Sequence, residues 1–262
     1  MLSGLLSGAT YPFRAINIFL KKPHLIVFLL MPIFVNICVG ITLYLTLFIP
    51  GWYGIADLTV FLNTWLDNLI ANLPQWLDLL AYIITVFGLL LRLLLILSLL
   101  LLTGLLLLQF GTILGAPWYG QLSEKIEKLR TGELQVVEVG IIRDIGRAIL
   151  FELKKIVLAI LVGIGLLAIN FIPVIGSVLS TIGGIALAAT IVCLDFLDGP
   201  SERRRYKFRK KLAIVWGSLP ASGTFSLICL GLISIPLLNL ITIPICVAAG
   251  TLFWCDRVMP KL

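Results

Sequence analysis

The chain has 262 residues, 60% of them apolar and 13% charged, with 20 Lys and Arg against 13 Asp and Glu and a net charge of +7. Soluble domains carry roughly 25% charged residues, so a soluble class is excluded. What matters instead is which apolar runs reach the ~20 helical residues that cross ~30 Å of hydrocarbon. The positive balance does not point to nucleic acid, because seven of the basic residues crowd into Arg203–Lys211 between apolar runs. That is the pattern of a membrane-flanking loop on the cytoplasmic side.

Residues 1–20 mix small, polar and apolar types, with Phe13, Ile16, Ile18, Phe19 and Leu20 available to one helical face. An interfacial helix is predicted there. Lys21 and Lys22 stand too far into the chain, and the apolar run after them is too long, for a cleaved signal peptide. From Pro23 to Pro50 no charge occurs, which predicts a first span over 23–50 with Pro23 in its opening turn.

Residues 51–78 carry Asp57, Asp67 and Asp78 without lysine or arginine, and Trp52, Tyr53, Trp65 and Trp76 recur through them. Aromatic residues of this kind collect at the bilayer surface, so an amphipathic layer on the non-cytoplasmic side is expected. A second span, 79–114, stops at Gly115-Ala116-Pro117.

Residues 118–155 are the stretch with soluble character. Ser123–Leu129 has helical spacing with mixed charge on an outer face, Thr131-Gly132 supplies a stop, and a second amphipathic segment runs from Ile141 to Lys155. Cytoplasmic helices are predicted here.

The remainder holds an internal repeat. Ile156–Phe171 is apolar, Ile172-Pro173 interrupts it, and apolar sequence resumes to Leu194; Leu219–Ser234, the break Ile235-Pro236 and an arm to Trp254 repeat the arrangement. The first arms have 16 residues each, at the lower limit for a crossing. Hairpin 1 (156–195) and hairpin 2 (219–256) are therefore either partly penetrating or tight pairs of true spans, separated by a basic loop over 196–218. The expected fold is an all-α integral membrane protein: two long transmembrane helices, two Pro-broken helical hairpins and a cytoplasmic amphipathic segment. Parity then places both termini and every basic cluster in the cytoplasm. The arginines Arg203, Arg204 and Arg205 also suit attraction to anionic lipid.

No enzymatic constellation is present: no Walker loop, GxSxG or HExxH, and no suitably spaced carboxylate pair. No enzyme activity, cofactor or metal is expected, and His24, the single histidine, cannot build a metal site alone. Cys38, Cys193, Cys229 and Cys246 lie inside apolar runs and Cys255 ends one, so they read as small core residues. Arg92 in the second span is either functional, as costly intramembrane charge usually is, or snorkels to an interface. The broken hairpins either expose half-helix N-termini as anion sites or merely turn the chain.

Gly115-Ala116-Pro117-Trp118-Tyr119-Gly120-Gln121-Leu122-Ser123-Glu124-Lys125 resembles a segment of the CysZ sulfate-permease family. That family shares a domain with the etoposide-induced membrane proteins. Pro32–Asn36, Phe171–Gly176, Asp198-Gly199-Pro200 with Phe208, and Ile235–Leu240 extend the resemblance in order. It implies a sulfate channel or permease of the inner membrane that feeds cysteine synthesis, assembled as a homo-oligomer. It also implies an anion site at the start of the first long helix. There the family's Gly-hydrophobic-Arg-Arg segment falls on His24-Leu25-Ile26-Val27, without the glycine or either arginine. A bare helix start binds a divalent anion more weakly than guanidinium groups do. The candidate anion-pathway residues are thus Pro23, His24 and Leu25 at that start, Asn36 and Arg92 in the spans, Glu124 after the second, and Gly176 and Asn239 at the hairpin breaks. The alternative is a non-transporting membrane scaffold or stress-related factor of the same family.

Overall fold

A computed structural model describes residues 7–71, 78–137, 140–173, 175–235 and 238–262, and among these every regular element is helical. Among the described residues four stretches are long and apolar enough to cross a bilayer: Pro23–Asn68, Thr85–Leu107, Ile175–Arg203 and Asn239–Lys261. A fifth is added if the helix pair Phe208–Gly217 and Ala221–Ile233, bent by 102°, counts as one broken span. The protein is a multi-pass α-helical membrane protein. It divides into two units, residues 31–116 and residues 1–30 with 117–262.

Residues 31–116 hold most of two long helices. α1 (Tyr11–Lys21) precedes a single 3-10 turn, Pro23–Ile26. α2 (Val27–Leu43), a π turn (Tyr44–Phe48) and α3 (Ile49–Ala71) then follow without interruption. The first span was expected to end at Pro50, but the helix runs through that proline. The wide π turn just before it absorbs the backbone hydrogen bond that Pro50 cannot donate. α4 (Asp78–Thr131) likewise continues through Pro117 instead of stopping there. One missing bond in a helix of 54 residues is locally accommodated and bends more readily than it breaks.

The two long helices touch antiparallel, and glycine marks the contacts. Gly40 faces Leu107 at 3.7 Å and Gly88 faces Leu66 at 3.4 Å, measured from the position of a Cβ. Gly51 meets Leu99, the buried leucine of this pair, at 2.8 Å. Tyr44, Phe48 and Trp52 stack along one side with centroids 5.5 and 6.4 Å apart. Trp76 and the rest of residues 72–77 fall outside the described residues.

In the other unit the chain turns at Gly132, whose φ of +80° suits glycine after the last turn of α4. α5 (Ile141–Asn170) and α6 (Ile175–Arg203) form the first hairpin. Lys155 meets Asp195 at its base, Leu166 presses on Gly183 midway, and Gly176 sits against the Ile169 carbonyl at its tip. Those pairings are antiparallel throughout. α7 (Phe208–Gly217), α8 (Ala221–Ile233) and α9 (Asn239–Phe253) follow, and α9 is extended by Trp254–Lys261. α8 has 13 residues, about 20 Å, too short to cross alone. Its Leu232 carbonyl accepts from Thr242 Oγ1 at 3.3 Å across the second hairpin. The expected break at Pro236, like Val174 beside Pro173, lies outside the described residues.

Two expectations need correction. The basic loop over 196–218 is mostly helix: α6 runs to Arg203 and α7 spans Phe208–Gly217, leaving Arg204–Lys207 and Ser218 outside both. The N-terminal face is also split. α1 buries Tyr11, Ala15 and Phe19 against α9, with the Tyr11 and Phe253 rings 5.2 Å apart, while Phe13, Ile16 and Leu20 stay exposed. Residues separated by four and eight share one face, and those separated by three and seven share another.

The core of this unit packs Phe225 on Phe253 at 5.3 Å, with Leu122, Leu194 and Trp254 around them. Cys193, Cys229, Cys246 and Cys255 are buried in it as expected, whereas Cys38 is exposed.

Candidate functional site

The last turns of α4 place Ser123 and Glu127 four residues apart on the face that also buries Leu122 and Ile126. Glu127 has no exposed surface, and each carboxylate oxygen takes an arginine. Arg203 Nη2 donates to Oε2 at 2.5 Å and Arg204 Nη2 to Oε1 at 2.5 Å. Arg203 Nη2 also reaches Ser123 Oγ at 3.0 Å, and Thr251 Oγ1 of α9 donates to that hydroxyl at 2.8 Å. Arg204 is braced by the Pro200 carbonyl at 3.1 Å and lies 5.6 Å from the Trp254 ring. Among the described residues the buried donors Arg203 Nε and Trp254 Nε1 have no acceptor.

The local sequence explains why three elements can meet here. A Cβ on Gly199 would stand 2.8 Å from Ser123 Oγ, and one on Gly250 would collide with the Phe196 carbonyl. Glycine at both positions lets α6 approach α4 on one side and α9 on the other. Asp198-Gly199-Pro200 thus has a packing reason.

A second band of charge surrounds the first. Glu202 binds Arg147 at 2.5 Å and Lys211 at 2.7 Å, and Lys211 also holds Asp198 at 2.5 Å. Arg205 pairs with Asp144 and donates from Nε to the Val137 carbonyl at 2.9 Å. Arg130 and Arg14 share Asp256 at 2.8 and 3.6 Å. Burial works against the Lys155 ammonium, but Asp195 and Glu152 outweigh it and hold its pKa above the ordinary lysine value. The bond to Asp256 raises Arg130, and the bond to Glu202 raises Arg147.

Arg203, Arg204 and Arg205 are therefore turned inward onto carboxylates, which removes them as a free lipid-facing patch. Glu127 is likewise not on an outer face. It lies next to Ile126 on the helix, and Ser123 four residues earlier marks the polar edge of the same buried face. That spacing was the available signal, and the mixed charge of Glu124, Lys125 and Lys128 around it masked it.

The sequence-derived candidates are dispersed. Pro23 and His24 are exposed and Leu25 is fully buried in the 3-10 turn. Asn36 donates to the Pro32 carbonyl of its own helix at 2.8 Å. Arg92 is exposed on α4, and Glu124 is half-buried one helical step from Ser123. Gly176 serves the close turn of the first hairpin, and Asn239 opens α9 with its N–H on the Ile235 carbonyl at 3.1 Å. No hydrogen bond or ion pair joins any of these eight to another among the described residues. Neither is any group of three or more His, Cys, Asp or Glu gathered there to hold a metal.

Comparison with known proteins adds a family. The model for the sulfate transporter CysZ and etoposide-induced protein 2.4 matches residues 11–244. A sulfate transporter CysZ of Pseudomonas fluorescens (strain Pf0-1) is 26% identical over 261 residues, covering 97% of this chain and 95% of that protein. The CysZ of Vibrio atlanticus (strain LGP32) is 27% identical over 252 residues, covering 95% and 92%. That of Salmonella typhi is 26% identical over 200 residues, covering 74% and 75%.

Proposed function

The chain belongs to the CysZ and etoposide-induced protein 2.4 family, and from that premise we propose that it is a sulfate permease rather than an enzyme. The carrying observation is that the match extends over residues 11–244 and takes in every element that builds the buried cluster, Thr251 and the extension of α9 excepted. In this reading the protein is a passive anion pathway of the inner membrane that supplies sulfur assimilation. Both termini are cytoplasmic and copies assemble in the bilayer.

The chemistry of the cluster supports an anion. A carboxylate and a sulfate both present oxygens that accept from two guanidinium groups, so Glu127 on Arg203 and Arg204 is an internal occupant that a passing oxyanion can replace. Ser123 and the donors Arg203 Nε and Trp254 Nε1, which have no acceptor among the described residues, add neutral and charged hydrogen-bond donors around it. In this proposal Pro23, His24, Leu25, Glu124, Gly176 and Asn239 are the pathway candidates of the unit that holds the cluster, and Asn36 and Arg92 those of the unit over residues 31–116.

One observation favours the second reading, a non-transporting scaffold. His24-Leu25-Ile26-Val27 offers an exposed imidazole and a buried leucine where an arginine pair would hold sulfate most strongly. Radiolabelled sulfate uptake into proteoliposomes separates the two. Flux above empty vesicles, reduced by unlabelled sulfate, supports the permease, and folded protein that conducts no sulfate sinks it.

A further inference from the structure

Next to the ion cluster, between the basic end of α5 and the start of α7, lies an open groove of about 740 Å³. This is within the roughly 300–1,000 Å³ typical of ligand clefts. Leu153, Val157 and Leu161 form one of its walls, four residues apart on one face of α5 and 54%, 49% and 67% exposed. Leu212 of α7 faces them. Lys154, Lys207 and Arg209 stand at its polar end.

Those three cations differ from their neighbours. Arg147, Lys155, Arg203, Arg204, Arg205 and Lys211 are each bound to a carboxylate. Lys154, Lys207 and Arg209 are exposed and have no ion-pair partner among the described residues. Glu202, the carboxylate on the wall, is already neutralised by Arg147 and Lys211. α7 also begins at this end, adding the positive end of its dipole. The polar end therefore carries unmatched positive charge, and the rest is exposed hydrocarbon. The cations sit just before Ile156, where α5 becomes free of charge, so head and tail positions follow the level at which hydrocarbon begins.

An inorganic anion matches only the polar end, and a neutral lipid only the walls. We infer that this groove binds an anionic phospholipid, its phosphate on Lys154, Lys207 and Arg209 and an acyl chain along Leu153, Val157 and Leu161. Each cation clustered at an anionic lipid surface adds to the retention of anionic lipid.

Native mass spectrometry of the intact detergent-solubilised protein tests this, with dioleoyl phosphatidylglycerol, dioleoyl phosphatidylcholine and inorganic phosphate as separate probes. The expected result is preferential retention of phosphatidylglycerol, weakened by about tenfold or more in the triple variant K154Q/K207Q/R209Q. The charge-keeping K154R/K207R/R209K should retain it. Val157→Trp, which fills the apolar wall and alters no charge, should lose it. Equal retention of the two lipids by the wild type overturns the inference. So does a triple variant that keeps its preference. Phosphate that displaces the lipid while Val157→Trp has no effect also overturns it, by reducing the polar end to a simple anion site. Should the triple variant not run as a single species on size exclusion, Lys154→Gln and Val157→Trp decide by the same criteria.

Discussion

Ser123 on α4 and Gly199 on α6 approach so closely that a Cβ at position 199 would lie 2.8 Å from the serine oxygen and 3.3 Å from its Cβ. Ser123 cannot yield freely, because its hydroxyl joins Arg203 to Thr251. Gly199→Ala is expected to lower stability by about 1–3 kcal/mol through overpacking. Gly184 sits on the same helix with open space around its Cβ position. Gly184→Ala is expected to raise stability by about 0.5–1 kcal/mol, because alanine orders a helix at lower entropic cost. Thermal unfolding of both variants in one detergent checks the opposite signs.

The carboxylate of Glu127 balances two buried guanidinium groups. Removing one partner of a buried ion cluster costs more than the cluster gains, since the remaining charge stays desolvated. Glu127→Ala is expected to destabilise by about 3–5 kcal/mol. Glu124→Ala, about one helical turn away at a half-exposed position without an ion pair among the described residues, should cost much less. Tryptophan-monitored unfolding of the two variants gives the comparison, and similar losses would contradict the burial argument.

Hydropathy and family motifs made the all-α membrane class of the fold legible. The ends of the long helices were not legible. Pro50 and Pro117 look like stops by local rule, yet a helix of several turns on each side bridges one missing hydrogen bond. The buried cluster was hidden for a different reason. Charge at Glu127 and Arg203 reads as solvent exposure unless the opposite charge is known to arrive from about 76 residues along the chain, which no local periodicity reports. Gly199 gave the nearest clue, since a glycine between Asp198 and Pro200 has no turn to make inside α6 and so marks a close approach.

Three groups outside the spans predict alkaline lability. Burial pushes the Tyr119 phenol from 10.0 up to about 12, and burial with Asp256 also raises Tyr11. Lys155 is raised as well, Asp195 and Glu152 outweighing its burial. In each case the unfolded chain releases its proton at lower pH than the folded chain. Their stabilisation is therefore fully present below pH 10 and lost as pH rises through the folded values. Unfolding midpoints should fall steeply between pH 10 and about 12. Tyr119→Phe, which has no proton to release, should flatten that fall, and an unchanged slope would show that Tyr119 does not contribute.

Arg205 adopts a φ of +56° in the turn between α6 and α7. This left-handed conformation costs a non-glycine residue roughly 1–2 kcal/mol, and the bonds to Asp144 and the Val137 carbonyl hold it there. Arg205→Ala loses those bonds and keeps the strain, whereas Arg205→Gly loses the bonds and releases it. The glycine variant is therefore expected to be more stable than the alanine variant by about 1 kcal/mol. Paired melting curves measure that difference, and alanine equal to glycine would mean the backbone relaxes elsewhere.

If an oxyanion can take the place of Glu127 on Arg203 and Arg204, the variant Glu127→Gln creates the site it would occupy. Glutamine keeps the shape but leaves two buried guanidinium charges without an anion, so the variant should be much less stable than wild type in sulfate-free buffer. Sulfate then binds the folded variant and not the unfolded chain, and at a hundred times its dissociation constant it restores about 2.7 kcal/mol. The same sulfate should stabilise the wild type far less, because Glu127 already fills the position. Chloride at matched ionic strength, which makes no bidentate contact, controls for screening. A melting temperature that sulfate raises selectively in Glu127→Gln supports the arginine pair as an oxyanion station. Equal effects of sulfate on variant and wild type would assign the cluster a structural role and place the anion path elsewhere.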